Sequence, residues 1–390
     1  MPGLPWEAKL EAALPMTTST HPVTSSTDVL SLRAALPWWT IALPALGLAA
    51  IAIGLAKFGG AGIVVAAIIL IGCVLAAVHH AEVVAHRVGE PFGTLVLAVA
   101  VTVIEVSLIV SLMLSGGGDA ATLARDTVFA AIMIIINGIV GICLLVGGVR
   151  HHEQRFALRG VSAALCVLAA MAVLSLVLPN YTYSAAGPFY TDSQLVFTAV
   201  VSLILYATFV LVQTVRHRDY FLPEAQADLP ADAHAPPPAA RTAWIAFGIL
   251  LVALVSVVLL AKDLAPVVEG AVLRAGLPLA IVGVVIAALV LAPESLAAVR
   301  AARRNRLQTS LNLALGSALA TIGLTIPSVA IVSLTLGLDL ALGIDAKSLT
   351  LLALSLLVAT LSLGTGRTTV LQGVVHLVLF ATYLFTTVVP

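Results

Sequence analysis

Two glutamates lie within apolar segments that exclude nearly every other charged side chain. Glu105 falls in the segment 92–114, and Glu294 falls in the segment 277–302. A carboxylate in hydrocarbon costs at least ~2.5 kcal/mol on insertion scales, so such a residue is by default a candidate for an ion pathway or a proton relay. The sequence therefore predicts a functional site that contains Glu105 and Glu294.

The composition indicates that membrane-spanning helices position these residues. The 390-residue chain is 61% hydrophobic and only 10% charged, whereas soluble domains are roughly 25% charged. A window of about 19 residues predicts eleven helices, at 38–56, 61–87, 92–114, 124–148, 158–178, 193–215, 243–262, 277–302, 307–335, 346–363 and 370–389. We therefore predict an all-α polytopic membrane protein. Its net charge of zero argues against a nucleic-acid partner.

The basic residues between these spans predict an orientation. Fourteen of the 19 Lys and Arg residues fall on the side of the N-terminus, and the other five are Lys57, Arg125, Lys262, Arg274 and Lys347. Cytoplasmic loops carry an excess of Lys and Arg. We therefore predict a multi-pass protein of the cell (inner) membrane with a cytoplasmic N-terminus and an external C-terminus.

The chain also divides into segments of different composition. Residues 1–36 are rich in Ser, Thr and Pro and predict a disordered tail, and 38–56 is an extra transmembrane helix. Residues 216–242 contain three consecutive prolines and predict a flexible cytoplasmic linker. The ranges 61–215 and 243–389 then hold five predicted helices each.

An odd number of helices per half gives the two halves opposite orientations, as in the inverted repeats of many secondary transporters. Glu105 lies in the second helix of the first half, and Glu294 lies in the second helix of the second half. We therefore predict that the two glutamates are repeat equivalents.

Two further patterns surround the glutamates, and each has two interpretations. Pro293 directly precedes Glu294, and it predicts either a simple kink or a helix break that exposes backbone ligands. Polar residues also recur on one helical face at Ser317, Thr321, Thr325 and Ser328. Their hydroxyls either line an ion pathway or bond the carbonyl four residues back.

Several motifs resemble a known family. The first half contains His86-Arg87-Val88-Gly89-Glu90-Pro91-Phe92-Gly93-Thr94-Leu95 followed by Val101-Thr102-Val103-Ile104-Glu105, and the second half contains Pro293-Glu294-Ser295, Asn305-Arg306-Leu307-Gln308 and Leu315-Gly316-Ser317-Ala318-Leu319-Ala320-Thr321. These stretches resemble the two repeats of the calcium/cation antiporter superfamily, and in particular its bacterial ChaA-type branch of sodium-potassium/proton and calcium/proton antiporters.

The resemblance implies exchange of a cation for protons by alternating access, with Glu105 and Glu294 as central ligands of both. The chain departs from the family pattern, because Thr102 and Leu291 stand where calcium/proton exchangers usually carry Asn. Ca²⁺ takes six to eight oxygen ligands, and the nearby side chains supply few of them. The predicted ligands are Glu105, Glu294, Thr102, Asn137, Ser317 and Thr321. Ca²⁺, Na⁺ and K⁺ all remain open as transported ions alongside H⁺, no cofactor is expected, and the oligomeric state stays open.

Two other functions give different expectations. A passive cation channel would dissipate a cation gradient without coupled proton movement. A membrane-embedded enzyme would need a catalytic pair within the spans, and Gly116-Gly117-Gly118-Asp119 fits a protease motif only in an outer loop.

A group of titratable residues lies at the predicted cytoplasmic end of one helix. It comprises His79, His80, His86, Glu82 and Glu90. Because histidine titrates nearest neutral pH, this group predicts a cytoplasmic pH sensor. The alternative is a solvated helix end.

Overall fold

The computed structural model describes residues 36–89, 92–115, 120–221 and 238–389. Helices dominate these ranges. Because the bilayer core offers no water to backbone groups, a spanning segment must satisfy its own hydrogen bonds, as a helix does. Most of the predicted tail 1–36 and most of the predicted linker 216–242 lie outside the described residues, as do Glu90 and the motif 116–119.

The described helices coincide with the predicted spans. In chain order they are α1 (Trp38–Ala52), α2 (Gly59–Val88), α3 (Phe92–Ser115), α4 (Leu123–His151), α5 (Leu158–Tyr181), α6 (Asp192–Arg216), α7 (Ala240–Arg274), α8 (Ala280–Arg303), α9 (Leu307–Leu336), α10 (Ala346–Leu363) and α11 (Val370–Val388). Nine helices within the described ranges are long and apolar enough to cross a membrane, and α1 and the apolar part of α3 (Val96–Ser111) are shorter. The all-α polytopic prediction is confirmed.

Two helix ends differ from the hydropathy prediction. Helix α7 has 35 residues and continues through Pro266 to Arg274. The hydropathy window predicted that this span ends at residue 262, because charged residues such as Lys262 and Asp263 lower the mean hydropathy although the backbone stays helical. Helix α1 ends at Ala52, because Gly54 adopts a left-handed conformation with φ of 65° before a short 3-10 turn.

The backbone near the glutamates has two local features that hydropathy does not report. Helix α8 runs through Pro293 without a break, so of the two interpretations of Pro293 the structure does not show the helix break. Instead, π-helical segments occur in α4 at Ile134–Ile139, in α5 at Val173–Val177, in α6 at Val212–Arg216 and in α9 at Thr321–Thr325. Such segments are frequent at functional sites.

A small antiparallel pair joins two loops at one end of the bundle. Strand β1 (Gln154–Arg155) pairs with β2 (Arg367–Thr368), with Gln154 opposite Thr368 and Arg155 opposite Arg367. The pair connects the α4–α5 loop to the α10–α11 loop.

Most of the buried apolar side chains form two large clusters. One cluster is built mainly from α1, α2 and α7, and the other from α4, α5, α6, α9, α10 and α11. Helices α3 and α8 contribute side chains to both clusters. The two glutamates therefore lie on the helices that form the boundary between the two parts of the bundle.

Candidate cation-binding site

A cavity of about 390 Å³ contains both glutamates. Its walls come from the first half of α3, the last half of α6 and the first half of α9, together with Glu294 of α8. Those parts of the helices lie toward the Arg-rich end of the bundle. The cavity therefore runs from that end to the two carboxylates, which lie near the middle of α3 and α8.

The Glu105 carboxylate is almost completely buried, with 2% of the residue exposed. The Thr325 hydroxyl donates a hydrogen bond of 2.9 Å to its Oε2 atom, and the Thr321 hydroxyl also interacts with this carboxylate. Its Oε1 atom is buried and has no hydrogen-bond partner among the described residues. A buried polar atom without a partner carries a desolvation penalty, so Oε1 is the atom that most requires a ligand.

The Glu294 carboxylate is half-buried and accepts a hydrogen bond at Oε2 from the Ser317 hydroxyl. It lies close enough to Glu105 for the two carboxylates to interact electrostatically. Glu82 of α2 also interacts electrostatically with Glu294. Two negative charges this close repel each other unless a proton or a cation neutralises one of them.

Helix α9 supplies the hydroxyls around both carboxylates. Ser317 contacts Glu294, Thr325 contacts Glu105, and Thr321 lines the cavity at one end of the π-helical segment. Ser328 instead donates to the carbonyl of Leu324 within its own helix, at 2.7 Å. Of the four polar residues predicted on one face of this helix, the first three therefore lie at the site, and the last one, Ser328, forms a hydrogen bond to its own backbone.

The structure brings together Thr102, Ser317 and Thr321 with the two glutamates. Thr102 is buried and lines the cavity one turn before Glu105. Asn137 is placed elsewhere, because it lies in the π-helical segment of α4 and is not among the described residues that line the cavity.

Asn137 belongs to a second buried polar group between α4, α10 and α11. Its Nδ2 atom donates to Ser355 Oγ at 2.7 Å, and its Oδ1 atom lies 3.2 Å from Nδ1 of His376. The Nε2 atom of His376 lies 2.8 Å from Ser362 Oγ. This chain of bonds satisfies each side chain in it, which explains why polar residues are tolerated there. It binds α4 of the first half to two helices of the second half.

The residues predicted to sense pH have different environments. His80 is fully buried, and its Nε2–H donates to the carbonyl of Thr40 in α1 at 3.2 Å. That carbonyl is available because Pro44, four residues later, has no N–H to offer it. The His79 ring lies 6.0 Å from the Trp39 ring and 5.5 Å from the His80 ring.

The remaining members of that predicted group lie nearer the helix end. Glu82 and His86 are exposed on α2, and Glu90 lies outside the described residues. His80 is thus a contact between α1 and α2, whereas Glu82 and His86 retain access to the surface.

Some residues of the cavity wall were not identified from the sequence. Tyr206, Gln213 and Arg218 come from α6 and the turn after it, and Asn312 comes from the start of α9. Gln213, Arg218 and Asn312 are ordinary polar residues near or just beyond the end of a predicted span, and Tyr206 is an aromatic residue within one. They reach the cavity because α6 packs against α9. Residue spacing along a single helix does not predict which other helix it packs against.

Comparison with known proteins identifies relatives over most of the chain. The profile of the sodium/calcium exchanger protein family matches residues 58–215 and 245–389. The chain is 50% identical to y4hA of Sinorhizobium fredii over 366 residues, which cover 93% of this chain and 99% of y4hA. It is 38% identical to the sodium-potassium/proton antiporter ChaA of Escherichia coli over 312 residues, which cover 79% of this chain and 84% of ChaA.

The fold is also similar to that of a solved structure. The crystal structure of the H⁺/Ca²⁺ exchanger CAX superposes with a TM-score of 0.69 at 15% sequence identity, over 92% of this chain and 89% of that chain. At this level of identity the similarity shows a shared architecture. The relatives that match by sequence carry the evidence for function.

Proposed function

The chain belongs to the sodium/calcium exchanger protein family and is a secondary active cation antiporter, and we propose that it exchanges a cation for protons by alternating access at Glu105 and Glu294. The observation that carries this proposal is the cavity that ends at two interacting carboxylates. One of their oxygens, Oε1 of Glu105, is buried with no hydrogen-bond partner among the described residues.

The coupling follows from the charge of the site. An unpaired carboxylate in a low-dielectric environment is strongly disfavoured, and either a proton or a cation neutralises it. Our hypothesis is that the site switches between the two sides of the membrane only when it is loaded with cation or with protons. The empty site, with two charged carboxylates, is too high in free energy to undergo this conformational change. Loading with one ion excludes the other, so transport becomes obligatory exchange. The two carboxylates titrate as a coupled pair.

The backbone around the site supports a barrier on one side only. The cavity opens toward the Arg-rich end of the bundle, which the positive-inside rule assigns to the cytoplasm. At the opposite end the loop after α9 is buried, and its N–H groups donate to three other segments: Ala341 to Ala121, Leu342 and Gly343 to Pro188, and Ile344 to Leu176. We propose that this is an inward-open conformation, and that the outward-open one reverses these contacts.

The same orientation extends the proposal to topology. We propose an inner-membrane protein with a cytoplasmic N-terminus, an external C-terminus and two five-helix halves of opposite orientation. The two separate matches to the family profile, at 58–215 and 245–389, support the division into halves.

The similarity to ChaA favours a monovalent cation, and the few oxygen ligands around the carboxylates weaken a Ca²⁺-only assignment. Beyond the two carboxylates, the neighbouring hydroxyls come from Thr102, Ser317, Thr321 and Thr325. The corresponding part of α4 contributes fully buried apolar side chains such as Ile132 and Met133. Ca²⁺ requires six to eight oxygens, and ChaA is a sodium-potassium/proton antiporter. We therefore propose Na⁺ and K⁺ as substrates and treat Ca²⁺ as the competing assignment.

A proton-flux assay in everted membrane vesicles tests the proposal. A proton gradient is imposed, and Na⁺, K⁺ and Ca²⁺ are added separately over a range of pH. We expect Na⁺ or K⁺ to collapse the gradient with saturation, and we expect protons to compete with the cation. Movement of the cation down its gradient without proton movement would contradict the proposal and indicate a channel, and a response to Ca²⁺ alone would contradict the monovalent assignment.

A further inference from the structure

A small pocket lies at the end of the bundle opposite to the mouth of the cavity. Its volume is about 130 Å³, and its lining comes from the start of α4, the start of α8, the start of α10 and the end of α11. None of the described residues that line it also lines the cavity with the two glutamates. This end of the bundle is external in the proposed topology, so we call this space the external pocket.

The walls of the external pocket correspond to those of the cytoplasmic cavity when the two halves are exchanged. The cavity is bounded by the second and fifth helices of the first half, α3 and α6, and by the third helix of the second half, α9. The external pocket is bounded by the second and fifth helices of the second half, α8 and α11, and by the third helix of the first half, α4.

The spacing of the lining residues matches as well. Thr309 and Leu313 line the cavity four residues apart near the start of α9, and Arg125 and Phe129 line the external pocket four residues apart near the start of α4. Transporters built from inverted repeats open alternately to the two sides by moving one repeat against the other. Corresponding walls at opposite ends therefore indicate pathways to opposite sides of the membrane.

The external pocket has a charged rim and an aromatic floor. Four charged residues line it near the helix ends, namely Arg125, Asp126, Asp345 and Lys347. Phe129 and Tyr383 also line it, and each lies about one turn deeper in its helix. Their rings are buried and meet edge-on, with centroids 5.5 Å apart and an interplanar angle of 89°. Charged side chains are typical of a surface that faces water, so the rim resembles an entrance that the two rings close.

The helices pack tightly behind the aromatic pair. Ile132 and Met133 lie on the next turn of α4 and are fully buried. A Cβ atom on Gly283 of α8 would lie 2.9 Å from the backbone nitrogen of Thr127 in α4, so these two helices are in backbone contact. The external pocket is therefore closed toward the carboxylates, whereas the cytoplasmic cavity reaches them.

Resting on the proposed function, in which the site opens alternately to the two sides, we propose that Phe129 and Tyr383 form the external gate of the exchange path. In the outward-open conformation the two rings separate, and the external pocket extends past Met133 to the carboxylates. An edge-on aromatic pair makes only a modest favourable contribution, which a conformational change can reverse.

Thiol labelling from the external side tests this gate. Met133→Cys places a thiol directly behind the aromatic pair, in a chain whose exposed native cysteine is removed by Cys166→Ser. Right-side-out vesicles are treated with a membrane-impermeant thiosulfonate reagent while an imposed proton gradient drives exchange. We expect Met133→Cys to react. Leu168→Cys in α5, which replaces an equally buried side chain away from the external pocket, is expected to stay unreactive.

Removing one ring should open the gate more often. Tyr383→Leu keeps an apolar side chain but deletes the ring pair. Because the labelling rate follows the population of the open gate, we expect Met133→Cys to react about 2- to 12-fold faster in this variant. Leu168→Cys should stay unreactive in the same background, which excludes a general loosening of the fold.

Two matched variants control the effect of the ring. Tyr383→Phe keeps the ring pair and should leave the labelling rate of Met133→Cys unchanged. Tyr181→Leu removes an exposed tyrosine at the same end of the bundle that does not line the external pocket, and it should also leave the rate unchanged.

Three results would overturn the inference. They are the absence of external labelling of Met133→Cys, equally fast labelling of Leu168→Cys, and no greater acceleration in Tyr383→Leu than in Tyr181→Leu. The first two are measured with the aromatic pair intact, so poor folding of Tyr383→Leu would not hide them. Failure of the proposed function is a different result, because it would appear as missing cation-dependent proton movement in the unsubstituted protein.

Discussion

Replacing Thr325 with valine removes one hydrogen bond from the site and changes little else. Thr325 is fully buried, and its hydroxyl donates to Glu105 Oε2 at 2.9 Å. Valine has nearly the same shape, so the variant deletes the donor without opening a cavity. A hydrogen bond to a charged group contributes about 1.5–3 kcal/mol. Because the donor favours the ionised carboxylate over the protonated one, its loss favours the proton in the competition with the cation.

The expected effect is a weaker cation response that needs a higher pH. At 1.4 kcal/mol per tenfold, the loss of about 1.5–3 kcal/mol raises the half-saturating cation concentration about 10- to 100-fold at a fixed pH. The pH of half-maximal exchange should rise by about 1–2 units, since one unit corresponds to about 1.4 kcal/mol. Both quantities are measured by proton flux in everted vesicles titrated with Na⁺ and K⁺ between pH 6 and about 9.

Thr335→Val is the matched control in the same helix. Thr335 is exposed, and its hydroxyl donates to the Ile331 carbonyl at 2.8 Å, away from both glutamates. We expect wild-type half-saturation and an unshifted pH profile from this variant. Unchanged cation response in Thr325→Val would refute the reasoning, because the Glu105 carboxylate would then not take part in the competition between cation and proton.

Other consequences of the structure can be tested in the same preparations. His80→Phe removes the bond to the Thr40 carbonyl, so we expect a lower thermal-unfolding midpoint with an unshifted pH profile of exchange; a shifted profile with normal stability would instead identify His80 as a pH sensor. Asn137→Leu removes the hydrogen bonds of Asn137 to Ser355 and His376 and is expected to lower the free energy of unfolding by about 1–3 kcal/mol, with an unchanged half-saturating cation concentration. A raised half-saturating concentration would instead indicate that Asn137 takes part in cation binding. Gly323→Ala would place a Cβ atom 2.5 Å from Tyr206 Cβ, so we expect impaired exchange. Gly248→Ala in α7, whose Cβ meets no described atom within 4 Å and which is not among the described residues that line the cavity, is expected to remain active. Equal activity in both variants would contradict the close packing of α6 on α9.

The sequence was sufficient to predict the helices of the fold, because each helix can be recognised from the residues of its own segment. Each span of about 20 apolar residues is detectable from its hydropathy alone, and the helical segments occur where the hydropathy pattern predicts them. The exceptions have local causes. Charged residues after Leu260 concealed the last part of α7, and hydropathy carries no signal for the π-helical segments of α4 and α9.

The site was predictable only in part, because its geometry depends on tertiary packing. Glu105 and Glu294 were recognisable as charges in hydrocarbon, and the helical spacing of Ser317 and Thr321 placed both on one face. The same spacing could not separate Thr325, which contacts Glu105, from Ser328, which bonds its own helix.

Residues from different halves of the chain were harder still to place. Asn137 is a chemically suitable ligand, but the rotation of α4 directs it to Ser355 and His376. Arg218 lies beyond the end of its span, and the docking of its turn on Asn312 brings it to the cavity. Neither placement has a signature within a single segment.

The central claim is that a proton and a cation compete for Glu105 and Glu294. The most direct test is cation-dependent proton movement in everted vesicles that contain Glu105→Gln or Glu294→Gln. Membrane insertion is verified by the amount of the variant in the vesicle membranes, and folding by its thermal-unfolding transition in detergent. The amide keeps the size of the side chain but cannot exchange a proton for a cation. We expect both variants to insert and unfold as wild type does and to show no cation-dependent proton movement. Full exchange activity in either variant would contradict the account.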